Sequence, residues 1–177
     1  MATRMVKGTP VVSLADGANL GTVDRVYLDP ASKAIVGFTF HAGGFFRHRS
    51  ASMVDVADVH AIGPDAITLT DASTVRSEVA IGPRCDGLID LDDLLKRQVI
   101  TEGGQLVGQV LAIEFDQDAY ALARIEVSQG GGNPNAAIPA TRITNIGADL
   151  IVVADPVRQE PARPYPRREV ARIASVA

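Results

Sequence analysis

Asp16-Gly17-Ala18-Asn19-Leu20-Gly21-Thr22-Val23-Asp24-Arg25-Val26-Tyr27-Leu28-Asp29 decides the fold, because it occurs twice. The second copy is Gly103-Gly104-Gln105-Leu106-Val107-Gly108-Gln109-Val110-Leu111-Ala112-Ile113-Glu114-Phe115-Asp116. The common frame is a Gly, a second Gly four residues on, a Val two after that, apolar residues three and then two further on, and an Asp. Asp16-Gly17 and Gly103-Gly104 suit a tight turn, since Gly accepts positive φ without steric cost. Gly21 and Gly108 mark places where backbones crowd or a strand bends. Val23, Val26 and Leu28 are spaced three and then two, as are Val110, Ile113 and Phe115. A regular strand needs two and two to keep one face. One extra residue near Asp24-Arg25 and near Leu111-Ala112 restores all three to one side. The spacing therefore predicts a β-bulge in each copy, of the kind that curls a sheet toward a barrel.

The repeat continues beyond the frame. Asp29-Pro30-Ala31-Ser32-Lys33 and Asp116-Gln117-Asp118-Ala119 read as turns. Val36, Phe38 and Phe40 then alternate, and Ala123, Ile125 and Val127 match them at one offset (125 − 38 = 87). Alternation predicts a half-buried strand with those residues inward. A Gly pair follows, Gly43-Gly44 or Gly130-Gly131. The last shared segment is Val54, Val56, Val59, Ile62-Gly63, Asp65, Ile67 and Leu69. It matches Ile138, Ala140, Ile143, Ile146-Gly147, Asp149, Ile151 and Val153 at another offset (138 − 54 = 84). The difference of three falls in the intervening loop, where length changes are tolerated.

Composition agrees with a folded β protein. The chain has 177 residues, 46% apolar and 21% charged, with no Trp and one Cys. Its core must be built of Val, Ile, Leu and Ala, good strand fillers where β-branched. Each copy is about 70 residues, near the size at which one core becomes marginal. Cys85 allows no intramolecular disulfide and reads as an incidental thiol. Without an export signal or a run of about 18 apolar residues, the expected location is cytoplasmic, with no transmembrane segment.

Charge is uneven. Residues 158–177 hold five Arg and two Glu, net +3, so residues 1–157 hold 12 basic and 19 acidic groups, net −7. An acidic body is a poor surface for phosphate backbones. The expected organisation is a first barrel over 1–77, a linker over 78–90, a second barrel over 91–156 and a Pro/Arg-rich tail over 157–177. Asp90 to Arg97 reads as a short helix, with Asp90 as N-cap and Leu91, Leu94 and Leu95 on one face. Glu169 to Val176 reads as one or two helical turns at the end of an extended tail.

Two stretches stand out as candidate partner-binding sites. Phe45, Phe46, Arg47, His48 and Arg49 combine aromatic and cationic groups, which stack on bases or grip an acidic partner. Arg163, Tyr165, Arg167 and Arg168 lie in the Pro-rich tail, a composition that forms no core. The sequence offers no catalytic constellation, cofactor motif or metal-ligand spacing. His41, His48 and His60 lack His-x-x-x-His or Cys-His companions, and there is no P-loop or G-x-S-x-G elbow. Asp86, Asp90, Asp92 and Asp93 lack the order of a calcium loop. Asp29 and Asp116 precede turns, where Asp bonds its own backbone.

DGANLGTVDRVYLD with VHAIGPDAITL, and GGQLVGQVLAIEFD with ITNIGADLIVV, resemble the PRC-barrel family in two tandem copies. The family includes the cytoplasmic part of the photosynthetic reaction-centre H subunit and the C-terminal domain of the ribosome-maturation factor RimM. The resemblance covers about residues 6–71 and 90–155. It implies small all-β barrels, so that with the helix and tail read above the expected fold is all-β, two tandem small barrels with a short linker helix and an extended C-terminal tail. It also implies a binding module that carries no catalytic residues. The expected function is a non-enzymatic adaptor or scaffold that binds protein partners, with homo-oligomers among the expected assemblies. The alternative is an RNA-binding or ribosome-assembly factor using the Phe45–Arg49 loop and the basic tail, which the acidic body disfavours.

Overall fold

A pleated strand puts alternate side chains on opposite faces, so the repeated frame needs a break in its pleat to bury all its aliphatic residues. The computed structural model describes residues 7–42, 52–63, 65–77, 87–116, 118–130, 135–155 and 171–174, and the breaks lie where the spacing places them. In chain order the first copy forms β1 (Pro10–Ser13), β2 (Asn19–Leu28), β3 (Ile35–Ala42), β4 (Ser52–Asp55), β5 (Val59–Ile62), β6 (Ile67–Leu69) and β7 (Arg76–Ser77). A two-residue strand, β8 (Ile89–Asp90), leads into one helical turn, α1 (Leu91–Leu94). The second copy forms β9 (Gln98–Thr101), β10 (Leu106–Asp116), β11 (Ala121–Ser128), β12 (Ala136–Pro139), β13 (Ile143–Ile146) and β14 (Leu150–Val153), and β15 (Ala171–Ala174) follows.

The fold is all-β: two separate sheets, each curled part of the way to a barrel. One sheet runs β5-β6-β1-β2-β3-β4-β7 with β8 on β2; the other runs β12-β11-β10-β9-β14-β13 with β15 on β10. Neighbours pair antiparallel except β1 with β6 and β9 with β14, which pair parallel. Those two parallel ladders return the end of each copy to its beginning, as a parallel pair requires of a long connection. Between β4 and β5, and between β12 and β13, the chain turns through 3-10 helices at Val56–Asp58 and Ala140–Arg142.

Both expected bulges are present. The β2–β3 register skips Asp24 between Val23 and Arg25, and the β10–β11 register skips Leu111 between Val110 and Ala112. Val23, Val26 and Leu28 are all buried, as are Val110, Ile113 and Phe115. A second irregularity in each hairpin corrects the sequence reading. Leu28 pairs Ile35 while Tyr27 pairs Gly37, leaving Val36 as the extra residue; Phe115 pairs Leu122 while Glu114 pairs Arg124, leaving Ala123. The buried sets are therefore Ile35, Phe38, Phe40 and Leu122, Ile125, Val127. Val36 is only half-buried and Ala123 is exposed. The partner strand also breaks its pleat, so its inward residues follow the same three-then-two spacing.

Gly21 and Gly108 sit where backbones crowd. Their φ values are 152° and 154°, and a Cβ on either would overlap the carbonyl oxygen of His41 or Ser128 on the neighbouring strand. Gly17 and Gly104, at φ 69° and 81°, carry the tight turns.

The chain divides into two compact units: Thr3–Asp29 with Ile35–Leu91, and Asp92–Ala177 with Pro30–Ala34 and Met1–Ala2. The first unit's core is Val11, Val23, Val26, Leu28, Ile35, Phe38, Phe40, Met53, Val54, Ile67 and Leu69, with Phe38 and Phe40 tilted against each other. In the second, Leu94, Val99, Val110, Ile113, Ile125, Ile138, Ile151 and Val153 are buried.

Two helical expectations change. The helix expected over Asp90–Arg97 is the single turn α1; Asp90 belongs to β8, and Lys96 adopts φ 71°, which ends the turn. Its Leu91 and Leu94 are buried as the spacing requires. Within Glu169–Val176, residues Ala171–Ala174 are a strand rather than a helix. A short segment gains more from completing an open sheet edge than from a helical turn too short to nucleate.

Candidate functional site

The candidate residues Phe45, Phe46, Arg47, His48, Arg49, Arg163, Tyr165, Arg167 and Arg168 lie outside the described residues, as does Cys85. What the described residues contribute is two outer faces, one on each long strand, built on a shared frame with different side chains.

On β2 the bulge turns Asp24 outward. Its carboxylate sits 3.4 Å from Lys7 Nζ, 3.9 Å from Arg25 Nε and 3.3 Å from His41 Nε2. Arg25 also lies 3.7 Å from Asp90, on β8. The Tyr27 hydroxyl first, and Asp90 after it, hold the Arg25 guanidinium above its ordinary value, so it stays cationic. Lys7, Arg25 and His41 are mostly exposed, so their Coulomb attraction is weak and screened. The result is a polar patch of mixed sign over a sealed apolar core that includes Phe38 and Phe40. No motif in the sequence groups these residues; strand register and the bulge bring them together.

On β10 the equivalent positions are Leu111, Ala112 and, across from it, Ser128, so none of that patch is repeated (24 + 87 = 111; 41 + 87 = 128). Instead Glu114 and Arg124 face each other across β10 and β11. Arg124 donates to both Glu114 carboxylate oxygens, Nε to Oε2 and Nη2 to Oε1 at 2.8 Å. Glu114 is only 6% exposed. The fork geometry satisfies a carboxylate that burial would otherwise penalise. Four successive residues of β10, Ala112 to Phe115, are buried, whereas Arg25 on β2 is exposed and Tyr27 half-buried. Sequence reasoning missed this pair, because Arg124 and Glu114 are ten residues apart and only register brings them together.

Further polar contacts are structural. Lys33, at φ 60°, donates from Nζ to Ala140 O at 2.8 Å and Ile143 O at 2.6 Å, satisfying the carbonyls around the 3-10 turn of the second unit. Arg97 donates to Gly147 O at the β13–β14 turn. Asp116 accepts from the N–H groups of Asp118 and Ala119 at 2.9 and 3.1 Å, the self-bonded turn expected of it. Leu14 and Leu106 are the large apolar side chains left exposed among the described residues. Among those residues no three His, Cys, Asp or Glu side chains converge as a metal site, and no helix is long and apolar enough to cross a membrane.

A search of curated proteins finds no match to the chain. The family model for the PRC-barrel domain matches it in two segments, residues 1–75 and 86–159.

Proposed function

The chain belongs to the PRC-barrel domain family in two tandem copies, and from that premise we propose that it is a non-enzymatic adaptor or scaffold that binds other proteins. One observation carries the reading. What the copies keep in common is Gly and apolar spacing, with Asp only at the turns (Asp29 and Asp116, Asp65 and Asp149), while the polar residues along their long strands differ. Asp24 with Lys7, Arg25 and His41 marks one copy, and Glu114 with Arg124 marks the other. A duplicated active site would keep its polar groups and let its scaffold drift. A duplicated binding module keeps its scaffold and diversifies its surface. PRC-barrel domains often serve as protein-interaction modules, which supports the reading. A cytoplasmic location belongs to the same proposal.

The test is affinity capture with the full chain after nuclease treatment, followed by purified reconstitution. The expected result is a defined protein held in fixed stoichiometry. Recovery of nucleic acid alone, with affinity that falls steeply as salt rises, would overturn the adaptor in favour of RNA binding.

A further inference from the structure

Each long strand leaves half of one edge open. β11 pairs with β10 from Gln109 to Asp116, but β9 pairs with it only from Leu106 to Gln109. On the β9 side, the backbone groups of Ala112–Phe115 need another partner, because buried N–H and C=O groups are costly unpaired. β15 supplies it, with Ala112 opposite Ala174, Ile113 opposite Ile173, Glu114 opposite Arg172 and Phe115 opposite Ala171. The first unit solves the same problem at the same place. β1 pairs with the start of β2, and β8 takes the far half, Tyr27 opposite Asp90 and Leu28 opposite Ile89.

The two occupants differ in how they are held. β8 runs directly into α1, whose Leu91 and Leu94 are buried, so it cannot leave without exposing them. β15 is a strand of four residues that adjoins no other described element in the chain. Residues 156–170 separate it from the end of the second copy, a stretch whose contour reaches about 50 Å when fully extended. A four-residue strand has few ladder bonds and opens at low free energy.

We propose that the Ala112–Phe115 edge of β10 is a strand-acceptor site for an extended peptide of a partner protein, and that the chain's own Ala171–Ala174 occupies it until displaced. The register defines the ligand. It is an extended segment with a basic residue opposite Glu114, small or aliphatic residues on either side, and an aliphatic residue opposite Ile113. Main-chain bonds supply the affinity of such strand addition and the alternate side chains supply its selectivity. Glu114 gives two of its roughly four lone-pair sites to Arg124, leaving acceptor capacity for the incoming cation. Tethering gives the resident strand an effective concentration of about millimolar, so the partner must outcompete it. The inference rests on the adaptor reading and names the kind of partner it takes.

The test uses the full chain and a labelled synthetic peptide of residues 169–177. Arg172→Pro with Ile173→Pro removes the resident strand, because successive N–H groups alternate in direction and one of the two must face β10. The peptide should bind this variant at least about ten-fold more tightly than the parent chain. By hydrogen exchange, the β10 amides that face β15 should lose protection in the variant and regain it with peptide, while amides facing β11 stay protected. A peptide with Glu in place of its Arg should bind more weakly. Arg172→Glu keeps the ladder and should show the same order of affinities, so the idea stays testable if the proline chain does not fold. Equal affinity for parent and variant, no binding to either, or unchanged β10 protection would overturn the proposal. None of these depends on the partner, so the capture experiment still judges the adaptor reading separately.

Discussion

Gly21 and Gly108 show how a single position reports its surroundings. Their left-handed φ and the neighbouring carbonyl together exclude any side chain. Gly21→Ala or Gly108→Ala should destabilise its unit by at least about 2–3 kcal/mol, the sum of backbone strain and displacement of a strand. Gly17→Ala, at φ 69° with open space around it, should lose only about 1 kcal/mol, since strain alone remains. Urea unfolding followed separately for each unit measures the difference. Glu114 and Arg124 behave as one object. Arg124→Ala strands a nearly buried carboxylate and should destabilise by about 2–4 kcal/mol, whereas Glu114→Met with Arg124→Met should be near neutral. A thermodynamic cycle over the four chains reads the coupling. The glycines were legible in the sequence because their spacing recurs; the ion pair was not, because nothing in Glu114 or Arg124 alone names the other.

Bulges dominate the scale of the element. Asp24 and Leu111 are chemically unlike, yet each is the extra residue that brings an apolar triplet back to one face. What the position requires is a residue, not a side chain. Deleting Leu111 leaves Val110, Ile113 and Phe115 spaced two and two, so they should stay on one face while the bend is lost, destabilising the second unit by about 1–3 kcal/mol, whereas Leu111→Ser should be tolerated within about 1 kcal/mol. Urea unfolding of the two chains distinguishes the outcomes. The first bulge was readable from the three-then-two spacing of β2 and β10. The second, at Val36 and Ala123, was misread because Val36, Phe38 and Phe40 alternate cleanly. The true inward residue, Ile35, follows the broken spacing that β2 imposes on its neighbour. Likewise Ala171–Ala174 carries no strong period of its own, so its strand exists through the β10 edge it completes.

At the scale of the whole molecule, one turn of the first copy belongs to the other unit. Lys33 belongs to the first copy by sequence, yet Pro30–Ala34 is part of the unit formed by Asp92–Ala177, and its ammonium binds two carbonyls there. Lys33→Ala should destabilise the second unit by about 1–3 kcal/mol, with little effect on the first, a split that hydrogen exchange resolves by unit. Length, duplication and apolar spacing by themselves determined that this chain makes two curled β sheets, where their tight turns lie, and where β2 and β10 bend. Such features depend on near neighbours in the chain, and steric and pleating rules translate them directly. Tertiary structure alone decided which polar groups meet, which unit owns the Lys33 turn, and that the final strand lies on β10. Those outcomes turn on register between distant segments, and a shift of one residue would rearrange them all without altering a single local preference.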